Sequence, residues 1–278
     1  MIIKLNEEST MKYLVAFLLL FPFQVLAGPR LYVFDCGLIN LENLEMFNLK
    51  ADESPVRQLF VPCYLVEHPQ GRLFFDGGLP KNVADSAAPV PIEGGSLVYD
   101  RWIVDQLADM GLAPEDIDYV AYSHLHFDHA GAASAFVETE VLMQKKEWSA
   151  AFAEEGGFID PSLLEGLKDA KLSFIDGDHD VFGDGSVRLI FAPGHTPGHQ
   201  LLMLTLDNTG QVLLSGDLYH TRANRDMRRV PTFNADAGQT HESMGRVEAL
   251  LAETGASLWI EHDKALADTL QKAPRYYD

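Results

Sequence analysis

Ser123-His124-Leu125-His126-Phe127-Asp128-His129-Ala130-Gly131 sets three imidazoles and a carboxylate within six residues. Neutral imidazoles bind borderline-soft divalent metals well, and a carboxylate neutralises part of the metal charge. An i, i+2 spacing would send side chains to opposite faces of a strand and well apart around a helix. The cluster therefore belongs on a loop that turns its side chains to a common centre. The apolar run Tyr119-Val120-Ala121-Tyr122 before it reads as a buried strand, and Ala130-Gly131-Ala132-Ala133 after it can open a helix. A loop at the end of a strand is where α/β proteins keep their chemistry.

Outward from that loop, strand-like runs fall at Leu31–Cys36, Leu59–Glu67 and Arg72–Asp76, the last two joined as a hairpin through Pro69-Gln70-Gly71. Apolar residues recur at helical spacing from Leu97 to Met110, and Gly111 ends them. Beyond the loop come a strand at Val141–Gln144, helical segments around Lys145–Glu154 and Pro161–Leu167, and strands at Lys171–Ile175, Ser186–Phe191, Gln200–Leu206 and Gln211–Leu214. A helix over Gln239–Glu253, a strand at Ser257–Ile260 and a helix through Lys264–Leu270 close the chain. This order predicts two sheets face to face with helices outside, a four-layer α/β sandwich. His195, Asp217 and His262 each follow a strand, as His124 does, so one rim of the sandwich would gather them all.

The 278 residues, 47% of them hydrophobic, suit a single domain over 28–278 with a proper core. With 41 acids against 21 bases, the surface repels nucleic acid and anionic lipid, so phosphate-backbone partners are not expected. Met11-Lys12, the apolar run Tyr13–Phe21 and the exit Val25-Leu26-Ala27-Gly28 read as a secretory signal peptide over residues 11–27. The run is short of the roughly 20 residues of a membrane span, and Pro22 and Gln24 interrupt it, so no stable anchor is expected. Glu7 and Glu8 fit a signal poorly, which points to translation from Met11 with residues 1–10 untranslated. The mature protein is then expected in the periplasm or outside the cell. There Cys36 and Cys63, the two cysteines, could pair. Two buried free thiols acting as small hydrophobes is the favoured reading.

The segments His124-Leu125-His126-Phe127-Asp128-His129, Pro193-Gly194-His195-Thr196-Pro197-Gly198-His199, Gly216-Asp217 and Glu261-His262-Asp263, in that order, resemble the metallo-β-lactamase superfamily. Asp76 in Phe74-Phe75-Asp76-Gly77-Gly78 is similar to that family's early, structural Asp-x-Gly. The resemblance implies the αβ/βα sandwich and two metal ions. His124, His126 and His195 would hold one ion, Asp128, His129 and His262 the other, and Asp217 would bridge them. His199 would support the site without ligating. His68, His179 and His241 lie outside every motif and read as exposed or capping residues.

Within the superfamily, true β-lactamases lack the bridging Asp. Glyoxalase II-like enzymes carry a helical domain after the last ligand, for which the 16 residues after His262 are too few. Phe127, Gln200 and the compact end look most like the N-acyl homoserine lactonases. These often carry Tyr three residues after the bridging Asp; here His220 holds that place and Tyr219 comes one residue early. The Gly-Asp-Leu-x-His form is also similar to methyl parathion hydrolase-like phosphotriesterases, which leaves a phosphotriesterase or aryl esterase as the alternative. A scaffold that has lost catalysis is disfavoured by the complete ligand set.

The chemistry expected is hydrolysis of a lactone ring by a hydroxide shared between two divalent ions, zinc first, with iron, manganese or cobalt as alternatives. Asp128 would take the proton, and His220 or Tyr219 would steady the oxyanion or serve a structural role. The long connection Gly37–Pro55, with Met46 and Phe47, would cover the site together with Phe127 and touch the acyl chain; a dimer contact is the equal alternative. Arg222, Arg225, Arg228 and Arg229, beside Pro231 and Phe233, either border the entrance or pair with surface carboxylates. The resemblance also suggests a homodimer.

Overall fold

The computed structural model describes residues 28–152 and 159–278. The leader read over residues 11–27 lies outside the described residues, as does the end of the helix expected over 145–154. The strands are β1 (Arg30–Leu41), β2 (Gln58–His68), β3 (Gly71–Phe75), β4 (Val90–Ile92), β5 (Gly95–Val98), β6 (Tyr119–Ala121) and β7 (Glu140–Gln144), then β8 (Leu172–Ile175), β9 (His179–Asp180), β10 (Val187–Phe191), β11 (Gln200–Leu206), β12 (Gly210–Leu214), β13 (Ser257–Trp259) and β14 (Tyr276–Tyr277). The α-helices are α1 (Lys81–Ala84), α2 (Ile103–Asp109), α3 (Lys145–Ala151), α4 (Arg222–Met227), α5 (Ala237–Thr254) and α6 (Lys264–Ala267). Among the described residues the strands form two sheets, ordered β4-β5-β1-β2-β3-β6-β7-β8 with β14 beside β1, and β13-β12-β11-β10-β9.

Alternation along the strands builds the layers. Leu31 and Val33 of β1 face inward with Val66, Leu73 and Phe75, and they meet Leu189, Leu202, Leu204 and Leu214 of the second sheet. Tyr32 and Phe34 face the other way and pack with Leu65, Phe74, Ile103 and Leu107 under α2. The outer face of the second sheet, with Ile190, Leu201 and Leu213, is covered by Met244, Val247 and Leu251 of α5. Period-two strands between helices make helix, sheet, sheet, helix, the expected four-layer sandwich.

Three local expectations are corrected. Leu97 and Val98 are strand, not helix: β5 pairs antiparallel with β1, Leu38 with Val98 and Leu41 with Gly95, and α2 begins only at Ile103. The reason lies in β1. A register shift between Asp35 and Leu38, with Gly37 at φ 134°, lets it bend and run on to Leu41, where its backbone groups need a partner. The connection expected over Gly37–Pro55 is therefore shorter and begins after Leu41. Cys36 and Cys63 form a disulfide, against the favoured free-thiol reading. Their strands are antiparallel neighbours, and the Cα atoms stand 5.7 Å apart, within bridging reach.

Candidate metal centre

The ligand loops leave the sheets at one rim. Parallel β3, β6 and β7 bring Asp76 and the His124 loop there, and β10, β12 and β13 lead into the loops that carry His195, Asp217 and His262. All eight of these side chains, with His126, Asp128 and His129 counted and the loop's own lead His124 among them, are buried. Gly131 permits the loop's tight return, because a β-carbon there would strike the backbone of Gly78 and Leu79.

His124 Nε2 lies 2.8 Å from His126 Nδ1, and His195 Nε2 lies 3.2 Å from each of those atoms. Nitrogens bound at about 2.0 Å on the corners of a tetrahedron stand about 3.3 Å apart, so the three can share one cation. Asp217 points one oxygen at each cluster. Its Oδ2 is 3.6 Å from His124 Nε2 and 3.2 Å from His195 Nε2; its Oδ1 is 3.3 Å from His129 Nε2 and 2.9 Å from His262 Nε2. Asp128 Oδ2 sits 3.8 Å and 3.7 Å from the same His129 and His262 atoms. Despite these approaches, His129 Nε2 and Asp217 Oδ1 lack a properly angled hydrogen bond among the described residues. Buried polar atoms that converge without bonding one another are what two cation sites require, and the donor sets His124/His126/His195/Asp217 and Asp128/His129/His262 fit them.

The electrostatics agree. Burial, then the neighbouring imidazoles, hold His124 and His126 well below the usual histidine range, so both present lone pairs. Burial alone would push Asp217 up, but His220, His129 and His262 outweigh it and keep the carboxyl ionised. Burial also opposes charge on His129, yet Asp217, Asp128 and Asp76 lift it well above its ordinary value. Without metal, a proton on His129 offsets the carboxylates, in the place a cation would take.

The partners behind the ligands fix tautomers. His129 Nδ1 lies 3.0 Å from Asp76 Oδ2, and His262 Nδ1 lies 2.7 Å from the Phe60 carbonyl, so each turns Nε2 to the centre. His199 does not ligate: its Nε2 accepts the Asp217 backbone N–H at 2.9 Å. Asp76 also accepts the Ser123 N–H at 2.6 Å, the structural role expected of it. His220 reaches the cluster, with Nε2 3.0 Å from Asp217 Oδ2. Tyr219 does not. Its hydroxyl donates to Glu248 on α5 at 2.8 Å, because consecutive residues of an extended segment face opposite ways. His68, expected to be exposed or capping, stacks on Phe182 at 4.2 Å with its side chain nearly buried.

A cavity of about 200 Å³ opens over the metal centre. Met46, Phe47 and Phe127 line it, as expected, with Ile39 and Leu41 from the connection expected to cover the site and Phe233 from the segment expected to border the entrance. Leu59, Ile92 and Glu93, which pattern reading did not single out, also line it. Phe233 packs on Phe47, His195 and His220 with ring centres 5.5 to 5.9 Å apart. The two loops that carry this wall clasp each other: Thr232 N–H donates to Met46 O, and Asn224 Nδ2 donates to Phe47 O. Three of the four arginines pair with carboxylates, Arg225 with Glu248, Arg229 with Glu53 and Arg222 with Asp263, and Arg228 donates to the His241 carbonyl oxygen. They do not reach the cavity.

Fold and site together define a metal-dependent hydrolase of the two-sheet sandwich class. The model of the metallo-beta-lactamase superfamily matches residues 56–256, and the chain belongs to that superfamily. It is 32% identical over 264 residues to the N-acyl homoserine lactonase AttM of Azorhizobium caulinodans, covering 90% of this chain and 98% of that one. It is 33% identical to AttM of Rhizobium johnstonii, over 89% and 98%. Among solved structures, a quorum-quenching N-acyl homoserine lactone lactonase superposes with a TM-score of 0.77 at 28% identity, over 90% of this chain and 98% of that one. A B. thuringiensis AiiA variant with N-decanoyl-L-homoserine at its active site gives 0.77 at 27%, over 90% and 99%.

Proposed function

We propose that this protein opens the ring of N-acyl homoserine lactones, using two zinc ions, after export to the periplasm or the medium. One observation carries the reading: a carboxylate with an oxygen on each histidine cluster, at the floor of an apolar cavity. A polar lactone head would meet the centre while its acyl chain lies along Ile39, Leu41, Leu59 and Ile92. AttM and AiiA, the similar enzymes, are N-acyl homoserine lactonases by name. The leader-like residues 11–27 and the Cys36–Cys63 disulfide support export.

His124, His126 and His195 would hold one ion, Asp128, His129 and His262 the other, and Asp217 both. When bound, the ions supply Lewis acidity and bring the pKa of a water near neutral. The chain supplies position and protons. Asp128, at the cavity floor, accepts the proton of the attacking water and returns it to the ring oxygen as that oxygen leaves. His220, which lines the cavity beside Asp217, offers an N–H to the carbonyl oxygen as charge grows on it. Phe47, Phe127 and Phe233 exclude bulk water. The ring-opened product is an acid, so each turnover releases one proton near neutral pH.

Proton release on a panel of acyl homoserine lactones, beside paraoxon and an aryl ester, tests this on protein of measured metal content. Lactone turnover should exceed both comparators; equal or greater efficiency on paraoxon overturns it.

A further inference from the structure

We propose that Glu147 is a positioning residue that sets the gap between the two ligand loops and thereby tunes the first cation site. This rests on the dinuclear reading above. Glu147 lies on α3, is 1% exposed and is not among the ligands. Its carboxylate is divided between two loops. Oε1 accepts the Leu125 N–H at 2.9 Å, and Oε2 accepts the Gly198 N–H at 2.9 Å. Leu125 stands between His124 and His126. Gly198 lies between His195 and His199, and His199 holds the Asp217 backbone. One side chain thus ties a loop of the first sheet to a loop of the second, across the gap that separates His195 Nε2 from His124 and His126 by 3.2 Å.

The surroundings fit a clamp. A β-carbon on Gly198 would run into the backbone nitrogen and Cβ of Glu147, so the loop presses directly on α3. One turn earlier Gln144 makes a parallel tie, its Nε2 donating to Gln200 Oε1 at 3.1 Å. Gln200 in turn donates from its side chain to Tyr122 O at 2.8 Å and from its backbone to Ser123 O at 2.9 Å. Burying a carboxylate is costly unless charge-assisted donors meet it, and here two backbone N–H groups do. A neutral, apolar residue would fill the space with no such cost; what the carboxylate adds is a fixed distance between loops.

Glu147→Gln keeps the shape but turns an NH2 toward a backbone N–H, so at most one of the two bonds survives. Metal-free protein is titrated with zinc against a chromophoric chelator, in the unaltered chain, Glu147→Gln, His195→Ala and the double variant. Glu147→Gln should weaken one of the two sites by roughly 10- to 100-fold, the usual loss when a partner behind a ligand is removed. Added to His195→Ala, it should weaken the remaining site no further, because the site it acts on is already broken. Unchanged affinities in Glu147→Gln, or an equal loss in both backgrounds, overturns the clamp while leaving the two-metal reading intact. If the unaltered chain takes up no zinc, the dinuclear reading falls and the clamp's function with it. Amide exchange on the metal-free unaltered chain needs no variant: the Leu125 and Gly198 amides should be strongly protected, and exchange as fast as in exposed loops refutes the clamp.

Discussion

Asp217→Asn removes one charge and almost no volume from the atom pair on which both clusters converge. Five imidazoles lie within 3.6 Å of that carboxylate: those of His124, His195 and His220 on Oδ2, and those of His129 and His262 on Oδ1. Deleting one partner of a buried charge pair costs about 3–5 kcal/mol, which is roughly two to four powers of ten in metal affinity at about 1.4 kcal/mol per tenfold. The loss also shows as stability. Unaltered protein at about 100 times its Kd of zinc gains about 2.7 kcal/mol, and a variant binding about 100-fold more weakly gains only about 0.4 kcal/mol at the same zinc. At about 2–4 °C per kcal/mol for a domain of this size, Tm should fall by roughly 5–9 °C. In excess chelator the zinc-linked part of the gap should vanish, leaving only what the missing charge beside His129 costs the metal-free fold. Metal per chain, Tm with and without chelator, and lactone hydrolysis are measured on the same samples. Two tightly held ions per chain in Asp217→Asn, or a Tm gap that survives chelation unchanged, would refute the bridging role.

Phe233→Ala opens the aromatic wall. Losing about 1–2 kcal/mol of apolar contact should lower kcat/KM roughly 5- to 30-fold for long-chain lactones and much less for short ones; equal effects on both would remove Phe233 from the acyl path. Cys36→Ala with Cys63→Ala frees a loop spanning 27 positions, and the chain-entropy relation gives about 3.5 kcal/mol lost, read as a lower denaturant midpoint with a somewhat steeper slope as the unfolded chain expands. The hydrogen bonds from Arg229 hold Glu53 down at about 2. A depressed carboxyl contributes stability above its unfolded value of about 4.5 that is lost as pH falls toward the folded value. The Tm difference between the unaltered chain and Glu53→Gln should therefore shrink from about pH 6 to about pH 3; a constant difference would mean that the pair does not form.

Much of this was legible in the chain because the information was local. Three imidazoles and a carboxylate at 124–129 cannot be spread around one regular element, so they imply a loop and a metal. Alternation at Leu31/Val33 against Tyr32/Phe34 implies a strand buried on both faces. Leu97 and Val98 misled because an apolar pair fits either period, and only the extra length of β1 beyond its bulge decided for a strand. Tyr219 misled because sequence neighbours in the extended segment after the Gly216–Leu218 turn point apart.

By itself, the sequence determined the layered fold, the ligand types and their order, since periodicity and donor chemistry are written in short windows. The tertiary structure alone decided which oxygen of Asp217 meets which histidines, that Phe233 closes the cavity against Phe47, that Cys36 reaches Cys63, and that Glu147 spans two loops. Each of those depends on distances between segments far apart along the chain, and such distances are fixed only when the sheets pack and close the loops between them.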